Sequence, residues 1–166
     1  MATTLIPIEE YLHRVDEGGC PDYLDGVLVE RNVGHYEHGH VQGLIFSLFL
    51  ELNKRVACFA SVECHLRLAP RRYRVADLAV FFGTEPSAPI PDTPPYVVVE
   101  VLSPDDRFSE IMEKLEEYRA WGIPNIWFVD PWARKLDVYS ASGLVQVESL
   151  NLPEYNFQIT AADLFS

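Results

Sequence analysis

Two carboxylates stand where the chain should be dry. Glu100 interrupts YVVVEVLSP (residues 96–104), and Asp77 sits at the centre of RVADLAVFF (residues 74–82). Both runs have the apolar content of strands buried on two faces. An ionised carboxylate in such a place costs several kcal/mol unless it is ion-paired, opens onto a groove at the sheet edge, or binds a metal. Two neighbouring strands with one interior acid each bring hard oxygen ligands together at one place, a donor set that suits Mg²⁺ or Mn²⁺. The main-chain carbonyl of Val101 is a candidate third ligand. An ion held there lowers the pKa of bound water and stabilises charge on a phosphoryl group.

Lys114 is the third reactive group. It is the only basic residue between Phe108 and Tyr118, among Glu110, Glu113, Glu116 and Glu117. On a helical wheel it falls at the border of an apolar stripe, between Tyr118 and Trp121. If its helix folds back along the preceding strand from Phe108, six residues return roughly 9 Å. Glu100 lies about 7 Å back from the strand end. The ammonium therefore reaches the carboxylates, where it would orient a nucleophile and offset charge on phosphorus. The alternative is an exposed partner of Glu110 or Tyr118.

The elements that must position these groups follow from periodicity. Thr4–Leu12 reads as a short helix with Thr4 as its cap, and GVLVER (26–31) as a strand after an Asp25-Gly26 turn. Glu37–Lys54 has apolar residues at helical spacing: Val41, Leu44, Ile45, Leu48, Phe49 and Leu52. SVECHLRL (61–68) alternates as a half-exposed strand and should pair with 74–82 in a hairpin. A proline-rich loop (83–95) leads to the Glu100 strand. Ser103-Pro104-Asp105-Asp106 fits a helix start, directly or after a short turn, and Gly122 with Pro124 ends that helix at Trp121. NIWFVD, KLDVYS and GLVQVE supply further short strands. The expected fold is α/β, one domain over 1–166, with a mixed central β-sheet flanked by helices.

Composition sets limits. With 166 residues, 48% hydrophobic and 23% charged, the chain suits one globular domain. The longest apolar run, LIFSLFL (44–50), is far short of a membrane span. No secretion signal is read in MATTLIPIEEYLHR, and Cys20, Cys58 and Cys64 form no CxxC, so a cytoplasmic location with reduced thiols is expected. Thirteen basic residues against twenty-five acidic give a net charge of −12, which argues against a general polyanion binder. One segment, RLAPRRYR (67–74), gathers Arg67, Arg71, Arg72 and Arg74 without an acid. These are candidate nucleic-acid phosphate contacts, or a solvated hairpin tip.

VADLAVF, VVVEVLSP and EKLEEYRAWGIPNIWFVDP together resemble a large bacterial family of restriction-endonuclease-like proteins, abundant in cyanobacteria, within the PD-(D/E)XK nuclease superfamily. The resemblance runs from about Tyr23 to Asp130. It implies a restriction-endonuclease-like core and a Mg²⁺- or Mn²⁺-dependent endonuclease, with Asp77, Glu100 and Val101 as metal ligands and Lys114 completing the catalytic set. DNA is the expected substrate, with RNA or a modified nucleic acid as the alternative; a homodimer is expected from the needs of double-strand cutting. Two positions depart from the superfamily pattern: Ala76 replaces the Pro before the Asp, and Leu102 stands where a Lys two residues after the Glu is usual. The family moves that amine to the following helix, where Lys114 lies. Glu30 and His38 are additional candidates, for an acid from an early element and a contact to metal-bound water or phosphate. HYEHGH (35–40), even with Cys64 and His65, matches no common zinc spacing. The rival expectation is a nuclease fold retained without catalysis, as a binding or assembly module.

Overall fold

The computed structural model describes residues 4–32 and 34–166. Met1–Thr3, part of the segment read for a signal, and Val33 lie outside them. The first helix, α1, runs Ile8–Asp16 and starts at Pro7 with no side-chain cap. The expected cap at Thr4 is thus replaced by a proline whose fixed φ suits a helix entry. Strands β1 (Asp22–Leu24) and β2 (Val27–Val29) form a hairpin. Asp25 and Gly26 both take positive φ, 52° and 103°. That is the two-residue turn whose twist matches antiparallel strands, and Asp-Gly is a preferred pair for it.

Helix α2 spans Tyr36–Asn53, within a residue of the expected bounds, and buries Val41, Ile45, Phe49 and Leu52. Strands β3 (Cys58–Ala69) and β4 (Arg72–Phe82) make the expected long hairpin. The proline-rich loop then passes beside β3, where the Arg67 amide donates to the Pro91 carbonyl at 2.8 Å. Strand β5 is Val97–Val101 and is buried throughout. Of the two expected starts the structure takes the second, a short turn before the helix: the Ser103 amide donates to Asp106 Oδ2 at 2.7 Å. Helix α3 begins at Phe108 and ends at Trp121, where Gly122 adopts φ 104°. Strands β6 (Asn125–Asp130), β7 (Lys135–Ser140) and β8 (Gly143–Val147) follow. A separate hairpin of β9 (Ser149–Leu152) and β10 (Phe157–Thr160) leads into α4 (Ala161–Phe165).

The main sheet has eight strands in the order β2-β1-β4-β5-β6-β7-β8, with β3 on β4. It is mixed: β5 and β6 are parallel and the other pairs antiparallel. One face packs on α2 and the C-terminal hairpin, through Leu78, Val80, Val97, Val99 and Trp127. The other packs on α3, through Ala79, Val98, Ile126 and Phe128 against Leu115 and Tyr118.

Strand β4 holds the key irregularity. One of its edges is paired by β3 along nearly its whole length. Its other edge is shared: β1 pairs with Arg72 and Tyr73, while β5 pairs with Leu78 to Val80. Between these, Arg74–Asp77 face a fork where the two neighbours diverge. The main-chain groups of Val75 are satisfied there by side chains. Its amide donates to Asp22 Oδ1 at 2.8 Å, and its carbonyl accepts from Lys114 Nζ at 2.7 Å. A buried peptide must be paired somehow, and here polar side chains do what a strand would.

Candidate active site

The fork brings the two strand carboxylates together. The β4–β5 register, Leu78 to Val99 and Val80 to Val97, continues to set Asp77 opposite Glu100. Residues opposite each other on antiparallel strands hold their Cβ atoms about 5 Å apart on one face. Beyond Val99 the strands separate, and Asp77 fills the gap by accepting the Val101 amide on Oδ2 at 2.7 Å. Asp77 and Glu100 are both buried, at 3% and 7% exposure.

Lys114 comes from α3. Its Nζ lies 3.0 Å from Glu100 Oε2, and Tyr118, one turn further on, donates its hydroxyl to Oε1 at 2.8 Å. Both contacts come from the same helix face, as the spacing of four requires. On the other side, His38 near the start of α2 places Nε2 3.3 Å from Asp77 Oδ2. With the carboxylate ionised, that nitrogen is the donor. Gly34 makes room for the ring: a Cβ there would stand 2.5 Å from His38 Nδ1.

Four residues of the site were not singled out in the sequence. Arg31, just after β2, donates to Asp77 Oδ1 and to Glu63 Oε2. Glu63 faces Asp77 across the β3–β4 ladder and takes φ 48°, a left-handed conformation uncommon for a non-glycine residue. Gln42 donates to Glu63 Oε1 at 2.9 Å and to the Asp77 carbonyl at 2.6 Å. In the sequence Tyr118 marks the apolar stripe and is an alternative partner for Lys114, but not a donor to Glu100. Its spacing of four from Lys114 was the one available signal.

The charges in this cluster act strongly on one another. Burial alone would raise the Asp77 pKa, but the His38 hydrogen bond and the cations Arg31 and Lys114 hold it down at about 2. Glu100 goes the other way. Burial raises it to about 7, with Asp77 adding to the rise and Lys114 opposing it. Burial lowers His38, but its bond to Asp77 and that residue's charge leave it raised overall. Their surroundings thus push the two carboxyls apart: Asp77 is held toward its ionised form and Glu100 toward its protonated form.

A cleft of about 100 Å³ opens onto these groups and is also lined by Val101, Arg107 and Asp106. Glu30 is exposed on its rim. The arginine cluster divides. Arg67 is exposed, its guanidinium 6.0 Å from the Tyr73 ring centre, and Arg71 bonds the Asp25 carbonyl at 3.3 Å. Arg72 pairs with Asp25 at 2.9 Å and Glu113 at 3.2 Å, and also with Glu117. Arg74, expected as a phosphate contact, is corrected to a buried structural cation: it is 5% exposed and bonds Asp22 at 2.9 Å and Glu117 at 2.8 Å. It bridges β1 and α3 at the closed end of the fork. The expected helical border for Lys114 is where the structure has it, and it is not an exposed partner of Glu110.

Among the described residues no three His, Cys, Asp or Glu side chains converge as a metal-ligand cluster. Two carboxylates remain as side-chain donors, with Val101 beside them. That is a full set only for a hard cation that keeps water or substrate oxygens in its shell.

Comparison with known proteins agrees with this architecture. No curated protein matches the chain. A crystal structure of a putative nuclease belonging to DUF820 from Anabaena variabilis superposes with a TM-score of 0.80, covering 96% of this chain and 97% of that one at 19% identity. At that identity the likeness concerns the fold. A family model, Uma2, described as putative restriction endonuclease, matches residues 8–161. The chain belongs to the Uma2 family of putative restriction endonucleases.

Proposed function

We propose that the chain is a metal-dependent endonuclease of the PD-(D/E)XK type that hydrolyses phosphodiesters, with DNA as its substrate. The observation that carries this reading is the Lys114 ammonium, 3.0 Å from Glu100, on the strand position opposite Asp77. It supplies from a helix the amine that Leu102 cannot supply from β5. Asp77, Glu100 and the Val101 carbonyl would hold Mg²⁺ or Mn²⁺. Bound there, the cation would supply an activated water and neutralise phosphate charge.

The chain's own residues account for the rest. Asp77, with its pKa at about 2, stays ionised across the physiological range and fixes the negative pole. Lys114 holds Glu100 in place and presents an ammonium to the entering water and to the crowded phosphorus. His38 fixes the orientation of the Asp77 carboxylate. Arg107, 79% exposed on its side chain, lines the cleft and is a candidate for a backbone-phosphate contact, with Arg67, Arg71 and Arg72 as further candidates on the β3–β4 hairpin. Glu30 on the rim remains the candidate for an additional acid from an early element.

The test uses purified protein and plasmid DNA. Cleavage should require Mg²⁺ or Mn²⁺ and should vanish in Asp77→Ala and Glu100→Ala proteins that retain native circular dichroism. Full activity in both would end the proposal. A homodimer, needed for paired cuts, is read out by size-exclusion chromatography. A cytoplasmic setting is in keeping with the three free cysteines.

One observation favours the second reading, a nuclease fold kept for binding or assembly. Every oxygen of Asp77 and Glu100 already has a protein donor, and Glu30, Asp106 and Glu110 make the cleft's rim acidic. Calorimetry tests the first reading against the second: a nuclease binds Mn²⁺ through Asp77, which an inert module need not do.

A further inference from the structure

The oxygens of Asp77 are not equally occupied. Oδ2 accepts two donors, the Val101 amide at 2.7 Å and His38 Nε2 at 3.3 Å. A carboxylate oxygen has two lone-pair sites, so Oδ2 is full. Among the described residues, Oδ1 accepts only Arg31 Nη2. Any cation that coordinates Asp77 must therefore approach the oxygen on which a guanidinium already rests, and two positive centres at one oxygen repel strongly.

Arg31 is built to leave that oxygen without leaving the site. Its other terminal nitrogen pairs with Glu63. Glu63 is held in turn by Gln42 at 2.9 Å, and its backbone takes the left-handed φ of 48°, a cost that non-glycine residues bear only where the surroundings impose it. Arg31 also lies between two spaces. The catalytic cleft is on one side, and a cavity of about 360 Å³ lined by Cys20, Gly34, Gln42 and Glu63 is on the other. Moving toward Glu63 takes the guanidinium off Asp77 and into that second space. Arg31 follows β2 in a segment without regular structure, tied across the cleft by the 2.9 Å bond from Asn32 to Asp106.

We infer that Arg31 and a divalent cation are alternative partners of Asp77 Oδ1, with Glu63 as the place where Arg31 waits when the cation is bound. The inference rests on the cation-dependent reading above. Arg31 keeps the buried carboxylate neutralised before the cation arrives and sets how tightly the cation binds.

The experiment is a Mn²⁺ titration by calorimetry on the wild-type protein and on Arg31→Gln and Arg31→Lys, each checked for native circular dichroism. Losing a charge-assisted bond to the carboxylate is expected to tighten Mn²⁺ binding about tenfold or more. Arg31→Lys is the diagnostic variant. It keeps the charge but cannot bridge Asp77 and Glu63, so a purely long-range electrostatic effect leaves its affinity at the wild-type value, whereas competition for Oδ1 tightens it. Equal affinities in all three proteins overturn the role of Arg31 and leave the metal site standing. Absence of Mn²⁺ binding from all three overturns the metal site itself and this inference with it.

Discussion

Replacing Lys114 by Met should destabilise the protein by an amount that grows with pH. The ammonium lies 3.0 Å from Glu100 Oε2 and 2.7 Å from the Val75 carbonyl. In the wild type, the Glu100 pKa is raised from 4.5 to about 7. The folded state therefore holds a proton that the unfolded state has released. Its contribution to stability is complete below about pH 4.5 and is lost as pH rises through about 7. Without Lys114, only the charge of Arg31 and the Tyr118 hydroxyl still favour the carboxylate, and its folded pKa climbs beyond 7. An ion pair at this range is worth about 4 kcal/mol at an effective dielectric constant of 20, or roughly three pKa units. Near pH 6, Glu100 is neutral in both proteins. The variant then loses only the bond to a buried carbonyl, about 1–2 kcal/mol. Near pH 9 the wild-type carboxylate is ionised and paired, while the variant must keep it protonated, two units above the wild-type pKa. That adds about 3 kcal/mol, or a further fall in Tm of roughly 6–12 °C for a chain of this size. Urea unfolding followed by the fluorescence of buried Trp127 at both pH values measures the difference, and both lie above the sequence pI of 4.7. A destabilisation that is the same at both, within about 0.5 kcal/mol, would refute the assignment of Lys114 as the group that holds down Glu100.

Other substitutions test the remaining contacts. Tyr118→Phe removes the 2.8 Å donor to Glu100 Oε1 and should cost about 1–3 kcal/mol of unfolding free energy, the usual cost of an orphaned buried acceptor; an unchanged urea midpoint contradicts this. Gly34→Ala places a methyl group 2.5 Å from His38 Nδ1. The ring must move off Asp77, so this variant should lower cleavage as much as His38→Ala does. Wild-type activity in Gly34→Ala beside an impaired His38→Ala would show that the ring has another way out. Arg74→Met strips Asp22 and Glu117 of their shared cation and should destabilise by about 3–5 kcal/mol, while the salt dependence of DNA binding stays as in wild type. A reduced salt slope in this variant would return Arg74 to the phosphate contacts.

The parts of the site legible in the sequence were those whose cost is local. A carboxylate inside YVVVEVLSP or RVADLAVFF announces itself because strand burial and ionisation conflict within a few residues. Lys114 was placed by helical geometry, which needs only the phase of one helix. The long elements α2, β3, β4 and α3 came from periodicity for the same reason. What stayed hidden depends on distant pairings. Arg31 belongs to Asp77 only because β2 and β1 bring it to the fork in β4, across 46 residues of chain. Glu63 lay in a run that alternates cleanly, so nothing marked its left-handed backbone. The break shows only in the fold, where Val62 is 42% exposed although alternation groups it with buried Leu66. Arg74 was misplaced because a run of arginines looks basic and exposed until Asp22 and Glu117 arrive from other elements. Strand β1, with three residues, is too short to carry an alternation at all.

The fork in β4 has an evolutionary consequence. Asp22 and Lys114 replace a missing strand for Val75, and Asp77 bonds the Val101 amide where the sheet opens. The groups that would perform hydrolysis are also the mortar of the sheet. A descendant that abandoned cleavage could not discard them freely, since each loss would weaken folding. An intact Asp, Glu and Lys set in another member of this lineage is therefore poor proof that the member still cuts.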